Sequence, residues 1–274
     1  MTASDLRILG IDFSGAADAG RKIWIAEGVA RNGAFELRDL RQACTLDGGG
    51  VAPGMAISAL VRHILREPRT VAGCDFPFTL PRSLIDKPTW VDFVAAFPGR
   101  FADADSFRAW ALHKAHGREL RRDADRAAAT PFNSYNLRIY RQTWWGIVAL
   151  LHPLVTSGAA IAVPYQPRTR RPLPILIEAC PACSLKSIGI YSPYKGRTAA
   201  HRRNRRAILT HLVSQRFLTT PPAKMMRLMI DDIGGDALDA VIAALATSTA
   251  DLRRDVAQDE MLDGRIYWQV NRPS

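Results

Sequence analysis

The chain has 274 residues with an apolar share of 47% and a charged share of 23%, which suits one folded domain with room for an insertion and excludes a disordered or collagen-like chain. No apolar run reaches membrane-spanning length, and the opening MTASDLRILG lacks the layout of a secretory signal, so a cytoplasmic location is expected. The net charge of +11, carried mostly by arginine, favours acidic or phosphate-rich partners such as nucleic acid.

Residues 6–13 form an apolar run ending in Asp12 and read as a buried strand. Residues 22–30 and 34–41 alternate apolar and polar side chains and read as two further strands. Asn32 and Gly33 between them make a strong hairpin signal, so the chain is expected to open as a three-stranded antiparallel meander. Residues 53–67 carry apolar side chains at helical spacing, with Pro53 near the start. Residues 69–81 contain another short buried strand, which ends at Asp75 and is stopped by Pro77.

From 82 to 160 the pattern is mainly helical, with TWVDFVAAF, DADSFRAWALHKAHGRELRRDADRAAA and LRIYRQTWWGIVALLHPLV suiting three or four helices broken by TPFNSYN. Trp144 and Trp145 in this stretch read as core or groove wall rather than as base-stacking platforms. Residues 173–181 read as a last buried strand carrying Glu178, residues 198–217 as a basic amphipathic helix, and residues 234–250 as an apolar helix with Asp236 and Asp239 in its first turns. An antiparallel start followed by crossover helices predicts one α/β domain, a mixed sheet flanked by helices with 82–160 inserted into it. Cys180 and Cys183 have C-x-x-C spacing but no second ligand pair, which favours small buried residues over zinc, with a redox role as the alternative.

Five acids fall where a buried element ends or begins: Asp12, Asp75, Glu178, Asp236 and Asp239. If the first and fourth strands lie side by side and parallel, Asp12 and Asp75 are neighbours at their carboxyl ends, where ligands of open α/β sheets bind. Asp236 and Asp239 share one helix face. Clustered carboxylates repel one another when empty, and hard cations such as Mg²⁺ or Mn²⁺ remove that penalty. Each acid also has a plainer use: Asp12 and Asp75 as turn formers, Asp236 as a helix cap, Glu178 as the partner of an arginine in the basic helix.

The motifs GIDFSGA, GCDFPFTLP, IEACPACSLKSIGIYSPYKGR and GGDALDAVIAAL resemble the ribonuclease H-like superfamily, and within it a family of predicted nucleases, domain of unknown function 429. DALDA at 236–240 looks like the D-x-x-D-A ending of RuvC-type resolvases, although Asp75 stands where those enzymes carry a glutamate. The resemblance implies a five-stranded mixed sheet, three strands antiparallel and the rest parallel, with a helical insertion after the fourth strand. It implies a divalent-metal site at Asp12, Asp75 and the Asp236/Asp239 pair, with Glu178 at the family's acidic position on the last strand; Asp12, Asp75 and Asp239 are the expected ligands, with Asp236 or Glu178 assisting catalysis. Lys195 matches a basic position of the family, and Arg197, Arg202, Arg203, Arg205 and Arg206 are further candidates for the phosphate backbone. The leading expectation is a metal-dependent nuclease or other phosphodiester hydrolase. Two alternatives stand beside it: a phosphotransferase of the actin and sugar-kinase type, for which DIGGD at 232–236 would be a phosphate loop, and a nucleic-acid-binding protein with an inactive site.

Overall fold

In the computed structural model, residues 6–252 and 260–270 are described. Seven strands form one sheet: β1 (Arg7–Asp12), β2 (Trp24–Arg31), β3 (Ala34–Gln42), β4 (Thr70–Asp75), β5 (Ile161–Ala162), β6 (Ile175–Ala179) and β7 (Ile266–Tyr267). Their order is β3-β2-β1-β4-β6-β5, and β7 also pairs with β6. β1, β2 and β3 are antiparallel neighbours, whereas β4 lies parallel to β1 and β6 parallel to β4. The meander followed by parallel strands is as expected, but the sheet has seven strands rather than five. The two extra strands, β5 and β7, are two residues long, too short to show any alternation in sequence. Between β2 and β3, Asn32 and Gly33 both take positive φ, of 47° and 74°, the backbone that a tight two-residue hairpin requires.

Helices cover both faces. α1 (Pro53–Leu65) brings Ile57, Leu60 and Ile64 into the core on one face, which Leu9 and Ile11 of β1 also enter. The insertion adds to that layer α2 (Trp90–Arg100), α3 (Ala104–Lys114) and a longer helical stretch from Tyr140 to Thr156, whose middle, Gly146–Leu151, is π-helical. The expected helical segment at 103–129 is interrupted: α3 ends near Lys114, His116 and Gly117 take positive φ, and helix resumes only at Asp123–Ala127. Trp144 and Trp145 pack against this core, and Trp144 Nε1 donates to the Phe101 carbonyl.

The opposite face holds α4 (Pro181–Ser187), α5 (Ala199–Ser214), α6 (Ala223–Asp231) and α7 (Asp236–Ser248). α7 is buried along nearly its whole length and lies against β1. Two glycines allow that approach. A Cβ on Gly10 would stand 2.1 Å from the Ala240 carbonyl oxygen, and one on Gly73 would stand 1.9 Å from Thr247 Oγ1. Cys180 and Cys183 are joined by a disulfide at the start of α4, and both are buried.

Candidate metal centre

Side chains alternate between the two faces of a strand. On β1, Leu9 and Ile11 face α1, so Gly10 and Asp12 face α7. On β4, Gly73 meets Thr247 of α7, so Asp75 two residues on points the same way. Asp12 and Asp75 are register partners at the carboxyl ends of adjacent parallel strands. Asp239 sits in the first turns of α7, directly above them. One carboxylate oxygen from each of the three lies within 4.8 Å of the others. Asp12 and Asp239 are buried, and Asp75 is partly so. Oxygen-only donors at this spacing suit a hard cation, so the trio has the donors and the arrangement to hold a metal ion.

The electrostatics agree with that chemistry. Burial, reinforced by Asp236, Asp239 and Asp75 and opposed by Lys195, raises the Asp12 carboxyl well above the usual carboxylate range. Burial and then the Asp239 carboxylate push Asp75 up to about 7. Asp236 is pushed up to about 6, mainly by burial. The protein supplies one cation of its own to these carboxylates. Lys195 Nζ lies 2.6 Å from Asp239 Oδ2 and 3.9 Å from Asp236 Oδ1. Burial disfavours its charge, but Asp239 and Asp12 outweigh this and hold the ammonium above its ordinary value.

Two residues set this geometry: Tyr194, which the sequence did not point to, and Arg205, which was expected at a phosphate. The buried Tyr194 donates its hydroxyl to Asp239 Oδ1 at 2.5 Å. Arg205, although it belongs to the basic helix, is buried and donates to the carbonyls of Tyr194, Gly196 and Ile230. It therefore shapes the turn that carries Tyr194 and Lys195 rather than facing a phosphate. The spacing of RRNRR gave a signal, since one position of an amphipathic helix must face inward.

The remaining expected site residues are divided. Asp236 joins the rim of the cluster. It is not the cap of α7: Gly235 holds that position with φ 78°, and Asp232 accepts from the Gly234 and Ala237 amides. DIGGD thus turns its amides onto its own aspartate. Glu178 is not brought into the trio. Its register partner is Cys74, which faces the α1 side, and Glu178 lines the same cleft and helps to raise Asp75 without joining the three carboxylates. There it meets Arg122 of the insertion in a two-pronged pair at 2.6 and 2.8 Å, and Asp125 completes a buried triad. The arginine expected for Glu178 in the basic helix is thus replaced by one from the insertion.

A cleft of about 730 Å³ opens over the aspartates, lined also by Ser14, Lys22, Phe132, Arg138, Tyr191 and Lys195. Arg197, Arg202 and Arg206 do not line it, and Arg202 pairs with Asp231. Gly15 is packed against the backbone of Arg141 and Gln142, so the small residues after Asp12 make room for the insertion there.

Fold and site together define an α/β protein with a candidate cation-binding site at the carboxyl ends of two parallel strands. No family model matches the chain, and neither does any curated protein or solved structure. No helix among the described residues is long and apolar enough to cross a membrane.

Proposed function

We propose that this protein is a divalent-metal-dependent phosphodiester hydrolase acting on nucleic acid, of the ribonuclease H-like kind. The observation that carries the reading is the convergence of Asp12, Asp75 and Asp239 from two strands and a helix. The order β3-β2-β1-β4-β6, with a helical insertion after β4, supports it too, as does the excess of positive charge.

Asp12, Asp75 and Asp239 are the residues that would hold Mg²⁺ or Mn²⁺. When bound, such an ion polarises a phosphodiester and activates water. Lys195 is the cation at hand for a phosphate oxygen, and it already neutralises part of the acid cluster. Asp236, pushed up to about 6 by burial, is partly exposed to the cleft, which suits it to accept or return a proton there. Tyr194 fixes the orientation of the Asp239 carboxylate.

The test is direct. The wild-type protein is expected to bind Mn²⁺ by calorimetry and to cleave oligonucleotides only when the metal is supplied. Asp12→Asn is expected to lose both. An Asp12→Asn protein that cuts as fast as wild type would overturn the reading. Metal binding without cleavage of any strand would leave a nucleic-acid-binding protein with an inactive site.

A further inference from the structure

The walls of the acid cleft differ from its floor. Asp12 and Asp239 lie at the bottom, 7% and 2% exposed. One wall is the insertion loop that carries Phe132, half-buried, with the Arg138 guanidinium 5.3 Å from its ring centroid. The other is the segment before Lys195, where Tyr191 is 50% exposed and the Lys186 ammonium lies 5.6 Å from its ring. Tyr191 also meets Tyr194 edge to face at 6.3 Å, which ties this wall to the acid cluster through the Tyr194–Asp239 hydrogen bond. Arg138 has no carboxylate partner among the described residues.

This combination suits one kind of ligand. A nucleotide with an unpaired base offers a phosphate to the cations and a flat π-face to the rings, and single-strand binders use that pairing of aromatic platforms with a basic groove. A duplex keeps its bases stacked inward and offers a rim of this sort only phosphates. A space of about 730 Å³ is that of a small-ligand pocket, too small to take in a duplex yet open to one or two nucleotides. Reaching carboxylates this deep also requires a backbone that can bend into the cleft.

We propose that the cleft takes single-stranded nucleic acid, with an unpaired base lodged against Phe132 and Tyr191 while the strand's phosphate reaches the acids below. This rests on the phosphodiesterase reading and adds the form of the substrate to it.

Fluorescence anisotropy of the full chain tests it, with a labelled twelve-nucleotide single strand, the blunt duplex of the same sequence, and Ca²⁺ as the hard cation. The single strand is expected to bind at least about tenfold tighter than the duplex. Phe132→Ala and Tyr191→Ala are each expected to weaken single-strand binding about fivefold or more, the effect of losing one base–aromatic stack. Tyr191→Phe should restore it. Both truncated side chains are at least partly exposed, so the fold should not change, and Mn²⁺ titration of each variant separates a lost stack from a displaced Asp239.

Equal affinity for strand and duplex would overturn the proposal, as would a Phe132→Ala/Tyr191→Ala double variant that binds the strand like wild type. A mononucleotide that binds as tightly as the strand would overturn it in favour of a free nucleotide. The parent reading fails separately: a protein that binds the strand and Mn²⁺ but never cleaves keeps this proposal and loses the hydrolase. One that cleaves a duplex while ignoring single strands does the reverse.

Discussion

At the scale of single residues, the acid cluster opposes its own stability. Burial and neighbouring carboxylates raise Asp75 to about 7, so its charged form is costly at neutral pH. Asp75→Asn keeps the shape and removes that charge. It is expected to raise the melting temperature of the metal-free protein by a few degrees, the response to about 1–2 kcal/mol in a domain of this size. The same variant should lose the stabilisation that Mn²⁺ gives wild type by binding the folded state alone. Thermal melts with and without Mn²⁺ read both effects; a variant still stabilised by Mn²⁺ as much as wild type removes Asp75 from the metal site. Lys195 makes the complementary case. Its ammonium shares the carboxylates with any incoming cation, so Lys195→Gln should bind Mn²⁺ at least as tightly as wild type. Cleavage should nevertheless slow tenfold or more, because the cation for the phosphate is gone. Slower cleavage explained wholly by weaker metal binding would remove Lys195 from that role.

At the scale of elements, the site depends on how closely α7 approaches the sheet. Gly10 lies where any Cβ would overlap helix backbone, so the helix cannot yield by turning a side chain. Gly10→Ala is expected to cost about 3 kcal/mol or more, at or above the upper end for overpacked cores. It should also weaken Mn²⁺ binding, since Asp239 moves away from Asp12 together with the helix. Chemical denaturation and metal titration of the same preparation check the two together. A second element contact gives a pH signature. Arg7 of β1 donates to Glu27 of β2 at 2.8 and 3.0 Å, and His63 of α1 stands 3.0 Å from the same carboxylate. Burial opposes the Glu27 charge, but hydrogen bonds from His63 and Arg7 prevail and lower its pKa well below the ordinary glutamate value. A depressed carboxyl stabilises the fold above its unfolded pKa, and that contribution is lost as pH falls from about 4.5 toward the folded value. Glu27→Gln should therefore destabilise at pH 7, by about 1–2 kcal/mol after allowing for its partial exposure, and the deficit should shrink at pH 3.

These elements also mark what was readable in advance. GID and GCD carried strand ends, a close-approach glycine and an acid in three residues each, so β1, β4 and their aspartates were legible. DALDA in an apolar run fixed α7 and the face that Asp239 shares with Asp236. Glu178 was not legible, because its face depends on the parity of β6 against β4, and one step of register reverses it. Arg122 and Phe132 lie in the insertion, whose docking rests on long-range packing without a local pattern. The helix Ala223–Asp231 was not among the expected elements, although the proline before it suits a helix start. Tyr194 had no signal beyond its place beside Lys195.

At the scale of the whole molecule, the question is whether the charge of +11 or the cleft governs nucleic-acid binding. The two predict different salt dependences. If a strand spread over the basic surface, many phosphates would be neutralised and the affinity would fall steeply with salt. Arg203 and Arg206, exposed on α5 away from the cleft, would then take part. If the strand enters the cleft, the cations it can meet there are few: Arg138, together with Lys22 and Lys195, which already pair with Asp18 and with Asp239, while Arg122 is held in the buried triad with Glu178 and Asp125. Each phosphate neutralised on a single strand contributes about −0.7 to the slope of log affinity against log salt, so these three cations give a slope no steeper than about −2. Arg138→Gln should make it shallower by about 0.7, and Arg206→Gln should leave it unchanged. A wild-type slope steeper than about −5, with equal losses from the two arginine variants, would place binding on the outer surface instead. The aromatic contribution is nearly insensitive to salt, so at high salt the affinity that persists should be the part lost in Phe132→Ala. Titrations at four salt concentrations with wild type and these three variants separate the two contributions, because only a strand held in the cleft combines a shallow slope with a salt-resistant remainder that depends on one phenyl ring.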